Sequence, residues 1–241
     1  MGKKKPSRDD YLLKERVKVE SEVFDRPTLL VISKLLKKKI IETLDYPVST
    51  GKEAIVFRGT TQDGKHVAVK IYKIETTHFF RKSEYLEGDP RFKKIKHTEK
   101  EIVSAFVRKE FKNLEICEKA KVHAPKPLFT DKNIIVMGFI GEKGLPYPTM
   151  DMVPPRSGKD FESVLGDMKK MYKAGLVHTD LSEFNLMLGK VPYLIDFGQG
   201  VVTRHPNAEK FLERDVRNIL NYFKKFGYER DFQETLEWIK S

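Results

Sequence analysis

The chain has one cysteine, Cys117, and one tryptophan, Trp238, in 241 residues. A lone cysteine cannot close an intramolecular disulfide, so folding must come from an apolar core, for which 39% hydrophobic residues are ample. No apolar stretch follows the charges of Met1-Gly-Lys-Lys-Lys, so a secretory signal is lacking and a cytosolic protein is expected. No run approaches the roughly 18 apolar residues of a membrane span, which predicts a soluble protein with no membrane partner. The Gly-x-x-x-x-Gly-Lys-Ser/Thr spacing is missing, and a P-loop nucleotidase is excluded with it. Histidine and cysteine never cluster at zinc spacing, and there are no internal repeats.

Positive charge is in excess: net +11 and a pI near 9.4. Such a surface attracts phosphate backbones, although composition alone is equally compatible with ordinary solvation.

Residues 1–26 are charged and poor in apolar side chains, the pattern of a loosely docked arm. From Thr28 to Leu44 the period becomes helical, with Leu29, Ile32, Leu35, Leu36 and Ile40 on one side and Lys34, Lys37, Lys38 and Lys39 largely elsewhere. Ser49-Thr50-Gly51-Lys52-Glu53-Ala54 then leads into Ile55–Gly59 and His66–Tyr72, two β-branched runs joined by Asp63-Gly64, a hairpin signal. Taken alone the Ser49–Ala54 stretch is a β-turn; its small, hydroxyl-bearing residues would also let backbone N–H groups approach a phosphate.

Lys70 sits mid-strand in Val67-Ala68-Val69-Lys70, where burying an ammonium requires an anionic partner. The pattern matches the Val-Ala-Ile-Lys strand of protein kinases, whose lysine holds nucleotide phosphates and pairs with a helical glutamate. A helix follows at 99–120, marked by Ile102, Phe106, Val107, Phe111, Leu114 and Cys117, and Glu110 falls on its apolar face. A buried glutamate is costly unless paired, which makes Lys70 its expected partner. The intervening charged connection, 75–98, is either a functional closing segment or an exposed loop.

Asn133–Gly141 reads as a buried strand, and 145–157 as a proline-rich linker before a helix stopped by Gly175. Val177–Gln199 then places Asp180, Asn185 and Asp196 around one hairpin: two oxygen-ligand side chains and a candidate base, the kind of site that holds a divalent cation against a phosphate. Two amphipathic helices, at 206–226 and 231–240, follow.

Four motifs in order, Ser49–Ala54, Ala68–Tyr72, His178–Asn185 and Ile195–Gln199, extended by Arg204–Pro206 and Leu212–Asn218, resemble the RIO family of atypical serine/threonine protein kinases, most closely its Rio-one branch. The resemblance spans roughly residues 25–228. It implies an α+β, reduced two-lobed kinase fold: a basic arm and helix at 1–45, a β-rich N-lobe and hinge at 46–141, and a reduced, mainly helical C-lobe at 142–241. It implies ATP with magnesium or manganese as cofactors. Ser49, Thr50, Gly51, Lys52 and Lys70 would contact the nucleotide, Gly138 and Ile140 would read adenine through their backbone, and Glu110 would orient Lys70. Asp180 would be the proton acceptor, and Asn185 and Asp196 would hold the metal. In a second chemistry of the family, Asp196 itself takes the γ-phosphoryl group as an aspartyl-phosphate. The family acts in maturation of the small ribosomal subunit, which makes precursor ribosomal RNA the expected partner. By the resemblance, a compact, archaeal-like member without the C-terminal extension of eukaryotic relatives is expected. Gly138 stands where an acidic residue is common, and Asp196-Phe197-Gly198 is closer to ordinary kinases than the family's variable pair. The other readings are a small-molecule phosphotransferase of the aminoglycoside-kinase type and an rRNA- or ribosome-binding module with nucleotide as a latch.

Overall fold

A computed structural model describes residues 24–74 and 98–241, so the expectations for most of the arm and for the charged connection through residue 97 lie outside it. An antiparallel sheet of β1 (Thr43–Thr50), β2 (Ala54–Thr60), β3 (His66–Tyr72), β4 (Pro127–Asp131) and β5 (Ile134–Gly138) runs in the order β1-β2-β3-β5-β4. The β2–β3 hairpin closes where the sequence indicated, with Gly64 at φ +74°, a conformation that favours glycine.

Strand alternation decides what each side chain of β3 meets. Val67, Val69 and Ile71 point to one face and share a core with Ile55, Phe57, Ile134 and Val136. The alternate residues Ala68 and Tyr72 join the other, larger core, which puts Lys70 on that same face. The first face is closed by α1 (Arg26–Lys37) through Val31, Ile32 and Leu35. Against the second lie α2 (Glu99–Lys119) and the helical remainder of the chain.

The first helix differs from the 28–44 expectation at both ends. Asp25 caps its N-terminus by accepting from the Thr28 N–H at 2.9 Å. Its end is set by Lys39 in the left-handed region at φ 59°, with the Ile40 N–H donating to the Leu35 carbonyl at 3.0 Å, a Schellman closure. Thr43 onward belongs to β1. The buried stripe is Thr28, Val31, Ile32 and Leu35, while Leu29 and Leu36 are exposed.

After β5 a small hairpin forms, β6 (Gly141–Glu142) with β7 (Leu145–Pro146), so that the first two residues of the segment read as a linker at 145–157 are a strand. The C-terminal part comprises α3 (Gly158–Lys173), β8 (Leu176–Val177) paired with β11 (Val201–Val202), β9 (Leu186–Leu188) paired with β10 (Pro192–Leu194), α4 (Ala208–Lys224) and α5 (Phe232–Lys240). Phe161 of α3 stacks on Phe223 of α4 at 4.8 Å, and Leu236 and Ile239 of α5 pack into the same cluster. No helix among the described residues is long and apolar enough to cross a membrane.

A buried polar tie holds α1 to the sheet, beside the more exposed Lys34–Asp131 ion pair. The buried Asn133 amide donates to Thr28 Oγ1 and to the Tyr72 carbonyl, both at 2.9 Å. Asn133→Ala leaves two acceptors unpaired in the core, so unfolding free energy should fall by about 1–3 kcal/mol. Hydrogen exchange of Arg26–Lys37 should rise more than that of α4, and denaturant titration with exchange mass spectrometry reads both.

Candidate active site

A cleft of about 940 Å³ separates the sheet from the helical part. Lys70 crosses its inner wall. The ammonium donates to Glu110 Oε1 at 2.8 Å and to Asp196 Oδ1 at 2.9 Å. Burial alone would push Lys70 down, but the Asp196 and Glu110 carboxylates outweigh it and hold the lysine well above its ordinary range. The Lys70–Glu110 pairing expected from the apolar face of the helix is present, and Lys70 also reaches the hairpin.

Tyr72, two residues on in the same strand and facing the same way, donates its hydroxyl to Glu110 Oε2. Burial raises the phenol far above its usual range, with the Glu110 charge adding to the effect, so it remains a donor. Glu110 thus has one oxygen on an ammonium and the other on a phenol. A Cβ at Gly198 would lie 3.2 Å from the Tyr72 hydroxyl and 3.5 Å from Asp196 Oδ1, so the chain passes here closely enough to favour glycine.

Two non-glycine residues of the hairpin have left-handed backbones, Thr179 at φ 71° and Asp196 at φ 62°. A β-branched residue there is strained and persists only where its surroundings over-determine it. Asp215 of α4 supplies that constraint. Its buried carboxylate accepts from the Thr179 N–H at 2.7 Å and the Leu181 N–H at 3.1 Å, and the neighbouring Arg214 donates to the Thr179 carbonyl. Burial pushes the Asp215 carboxyl up to about 7, while the Leu181 and Thr179 N–H bonds pull it down. His178 is locked as well: its Nε2–H donates to the Ile195 carbonyl at 3.0 Å, and its ring lies 4.8 Å from that of Phe197. Asp180 is held by Asn185, whose Nδ2 donates to the Asp180 carbonyl at 2.7 Å, and by Gln199, whose Nε2 donates to Asp180 Oδ2 at 3.2 Å.

Of the residues anticipated from the sequence, Ser49, Gly51, Lys52, Lys70, Glu110, Gly138, Ile140, Asp180, Asn185 and Asp196 all line the cleft. Thr50, next along β1 after Ser49, is not among the lining residues. The Gly138 N–H is committed to the Lys126 carbonyl at 2.8 Å and the Ile140 carbonyl to the Tyr147 N–H at 3.2 Å. What those two residues can offer a ligand is therefore one carbonyl and one N–H. Val56, Ala68, Met137, Met187 and Ile195 give the cleft apolar walls on both sides.

The donor set suits a magnesium-like ion. Asp196 offers a carboxylate and Asn185 an amide oxygen, since its nitrogen is engaged with Asp180. Such an ion takes few protein oxygens and completes its shell with water and phosphate. Lys70 faces two carboxylates, an excess of negative charge that a cation offsets.

Tyr72, His178, Asp215 and Gln199 were assigned no role from the sequence. Asp215 could have been, by the reasoning used for Glu110: it lies four residues after Phe211 and four before Ile219, on the buried face of its helix.

Two outcomes follow. Tyr72→Phe leaves Glu110 Oε2 unpaired in the core and should lower unfolding free energy by about 1–3 kcal/mol in denaturant titration. His178 is kept neutral, its pKa pushed by burial from 6.5 down to about 4. The unfolded chain takes up that proton near pH 6.5 and the folded chain does so near 4. The contribution is thus complete above pH 6.5 and is lost as pH falls toward 4, by up to about 3 kcal/mol. The difference in stability between wild type and His178→Phe, measured from pH 7.5 to 4.5, should shrink across that window.

A family model described as the RIO domain matches residues 55–235. The RIO-type serine/threonine-protein kinase Rio1 of Haloferax volcanii is 41% identical over 230 residues, which cover 93% of this chain and 78% of that protein. The Rio1 kinase of Thermoplasma acidophilum is 44% identical over 186 residues, 77% of this chain and 99% of the relative. Human serine/threonine-protein kinase RIO1 is 35% identical over 90% of this chain, which spans 40% of the human protein. Among solved structures, the Rio2 kinase–ADP/Mg2+–phosphoaspartate complex from Chaetomium thermophilum superposes with a TM-score of 0.62 at 20% identity, over 87% of this chain and 65% of that one. The fold is therefore that of a RIO kinase, β-rich in its first part and helical in its second, and by its family match and its relatives the chain belongs to the RIO domain family.

Proposed function

We propose that the protein is an ATP-dependent phosphotransferase, a serine/threonine protein kinase with ATPase capacity. The observation that carries this reading is the Lys70 bridge between Glu110 and Asp196 in a cleft that also presents Asp180 and Asn185. The apolar walls take the adenine ring, and the Gly138 carbonyl with the Ile140 N–H form the acceptor–donor pair its edge needs. Lys70, oriented by Glu110, neutralises phosphate charge. Asn185 and Asp196 supply oxygens for magnesium or manganese, which when bound offsets charge on the phosphates. Asp180 accepts the proton of the attacking hydroxyl as its oxygen bonds to the γ-phosphorus and the bridge to ADP breaks.

A second outcome at the same site has its own support. The Asp196 carboxylate is held by Lys70 at the phosphate end of the cleft, and the solved Rio2 complex carries a phosphoaspartate. Attack by Asp196 would give an aspartyl-phosphate that water then hydrolyses, and the protein would work as an ATPase. The net charge of +11 supports precursor small-subunit ribosomal RNA as partner.

With ATP and magnesium, wild type should release ADP and incorporate phosphate, and Lys70→Ala and Asp180→Ala should each lose about 100-fold or more. Equal residual rates in all three would sink the enzyme reading. Intact-mass analysis with hydroxylamine separates the two outcomes, since a label on Asp196 is lost and one on serine or threonine is kept.

A further inference from the structure

The geometry points to Gln199 as a positioning residue that aims the Asp180 carboxylate for proton transfer. This inference rests on the phosphotransfer reading above and adds to it a residue that contacts the base. Asp180 is an exposed residue between the buried Thr179 and Leu181, and rotation about the last bond of its side chain sets where its carboxylate points. The Gln199 Nε2–H reaches Asp180 Oδ2 at 3.2 Å and restricts that rotation.

The restraint is useful only if Gln199 is itself fixed, and its backbone is. Lys109, fully buried on α2, donates from Nζ to the Gln199 carbonyl at 2.7 Å and to the Gly198 carbonyl at 3.1 Å. Asn113, one turn further along, donates from its amide to the Phe197 carbonyl at 2.9 Å and the Gly200 carbonyl at 2.8 Å. The Phe197–Gly200 turn is thus clasped by two buried polar side chains, and the Gln199 amide projects from it to the base. Lys109 and Asn113 flank Glu110 on the same helix, so α2 sets Lys70 through Glu110 and Asp180 through Gln199. A neutral amide suits this work. It donates to the ionised carboxylate and favours that form without adding a competing charge, whereas a glutamate in its place would disfavour it.

The test compares wild type, Gln199→Leu and Gln199→Glu in single-turnover ATP cleavage with magnesium from pH 5 to 9. Gln199→Leu should lower the rate of the chemical step about 10-fold, with the ATP concentration at half-saturation unchanged within about two-fold. Gln199→Glu should move the acid limb upward by about one pH unit or more, because two carboxylates then compete for one proton. The limb position is independent of how much of a preparation is folded, so a merely structural Gln199 would not move it. An acid limb in Gln199→Glu that coincides with wild type, or a Gln199→Leu loss confined to half-saturation, overturns the assignment. Failure of the wild type itself to cleave ATP would instead count against the phosphotransfer reading.

Discussion

An ammonium buried between two carboxylates is the constraint on which the site depends. Lys70 could not remain charged in the middle of a sheet without Glu110 and Asp196, and neither Glu110 nor Tyr72, the strand neighbour of Lys70, could be buried there without the others. The three come from a strand, a helix and a hairpin far apart in the chain. Satisfying one buried charge therefore draws the sheet, α2 and the β9–β10 region onto a common point. Replacing the lysine costs more than a contact, because it leaves the buried Glu110 carboxylate without its counter-charge.

The opposite wall of the cleft is held in another way. Thr179 and Asp196 have left-handed backbones, which the β-branched Thr179 disfavours, and polar groups of neighbouring helices hold this stretch in place. Asp215 and Arg214 clasp the peptide before Asp180, His178 ties the same stretch to Ile195, and Lys109 with Asn113 grips the turn after Asp196. These donors and acceptors spend their hydrogen bonds on main chain. The side chains of Asp180, Asn185 and Asp196 are then presented to the cleft from a backbone that cannot easily relax.

The path from residue pattern to site was short where a buried polar group interrupted an apolar stripe. Lys70 in a β-branched run and Glu110 on the apolar face of a helix implied one another before any coordinates, and Asp63-Gly64 marked the turn between β2 and β3. The same logic would have exposed Asp215, which lies at helical spacing among Phe211, Leu212 and Ile219. Local geometry was less legible. The helix expected at 28–44 ends at Lys37 because Lys39 adopts a left-handed turn that nothing in its side chain requires, and the following Thr43–Thr50 pairs with β2 in preference to extending the lysine-rich helix.

Periodicity and residue chemistry by themselves determined that a basic chain with one cysteine would build a sheet carrying a paired lysine, a glutamate-bearing helix, and a hairpin of Asp180, Asn185 and Asp196. Each of these is a local pattern, or a burial cost that requires an oppositely charged partner. Tertiary structure decided which lone pair meets which proton: the second oxygen of Glu110 on Tyr72, the Gly138 N–H on Lys126, and Gln199 on Asp180. Those choices depend on how separate elements approach within hydrogen-bonding distance, and no spacing along the chain encodes such a distance.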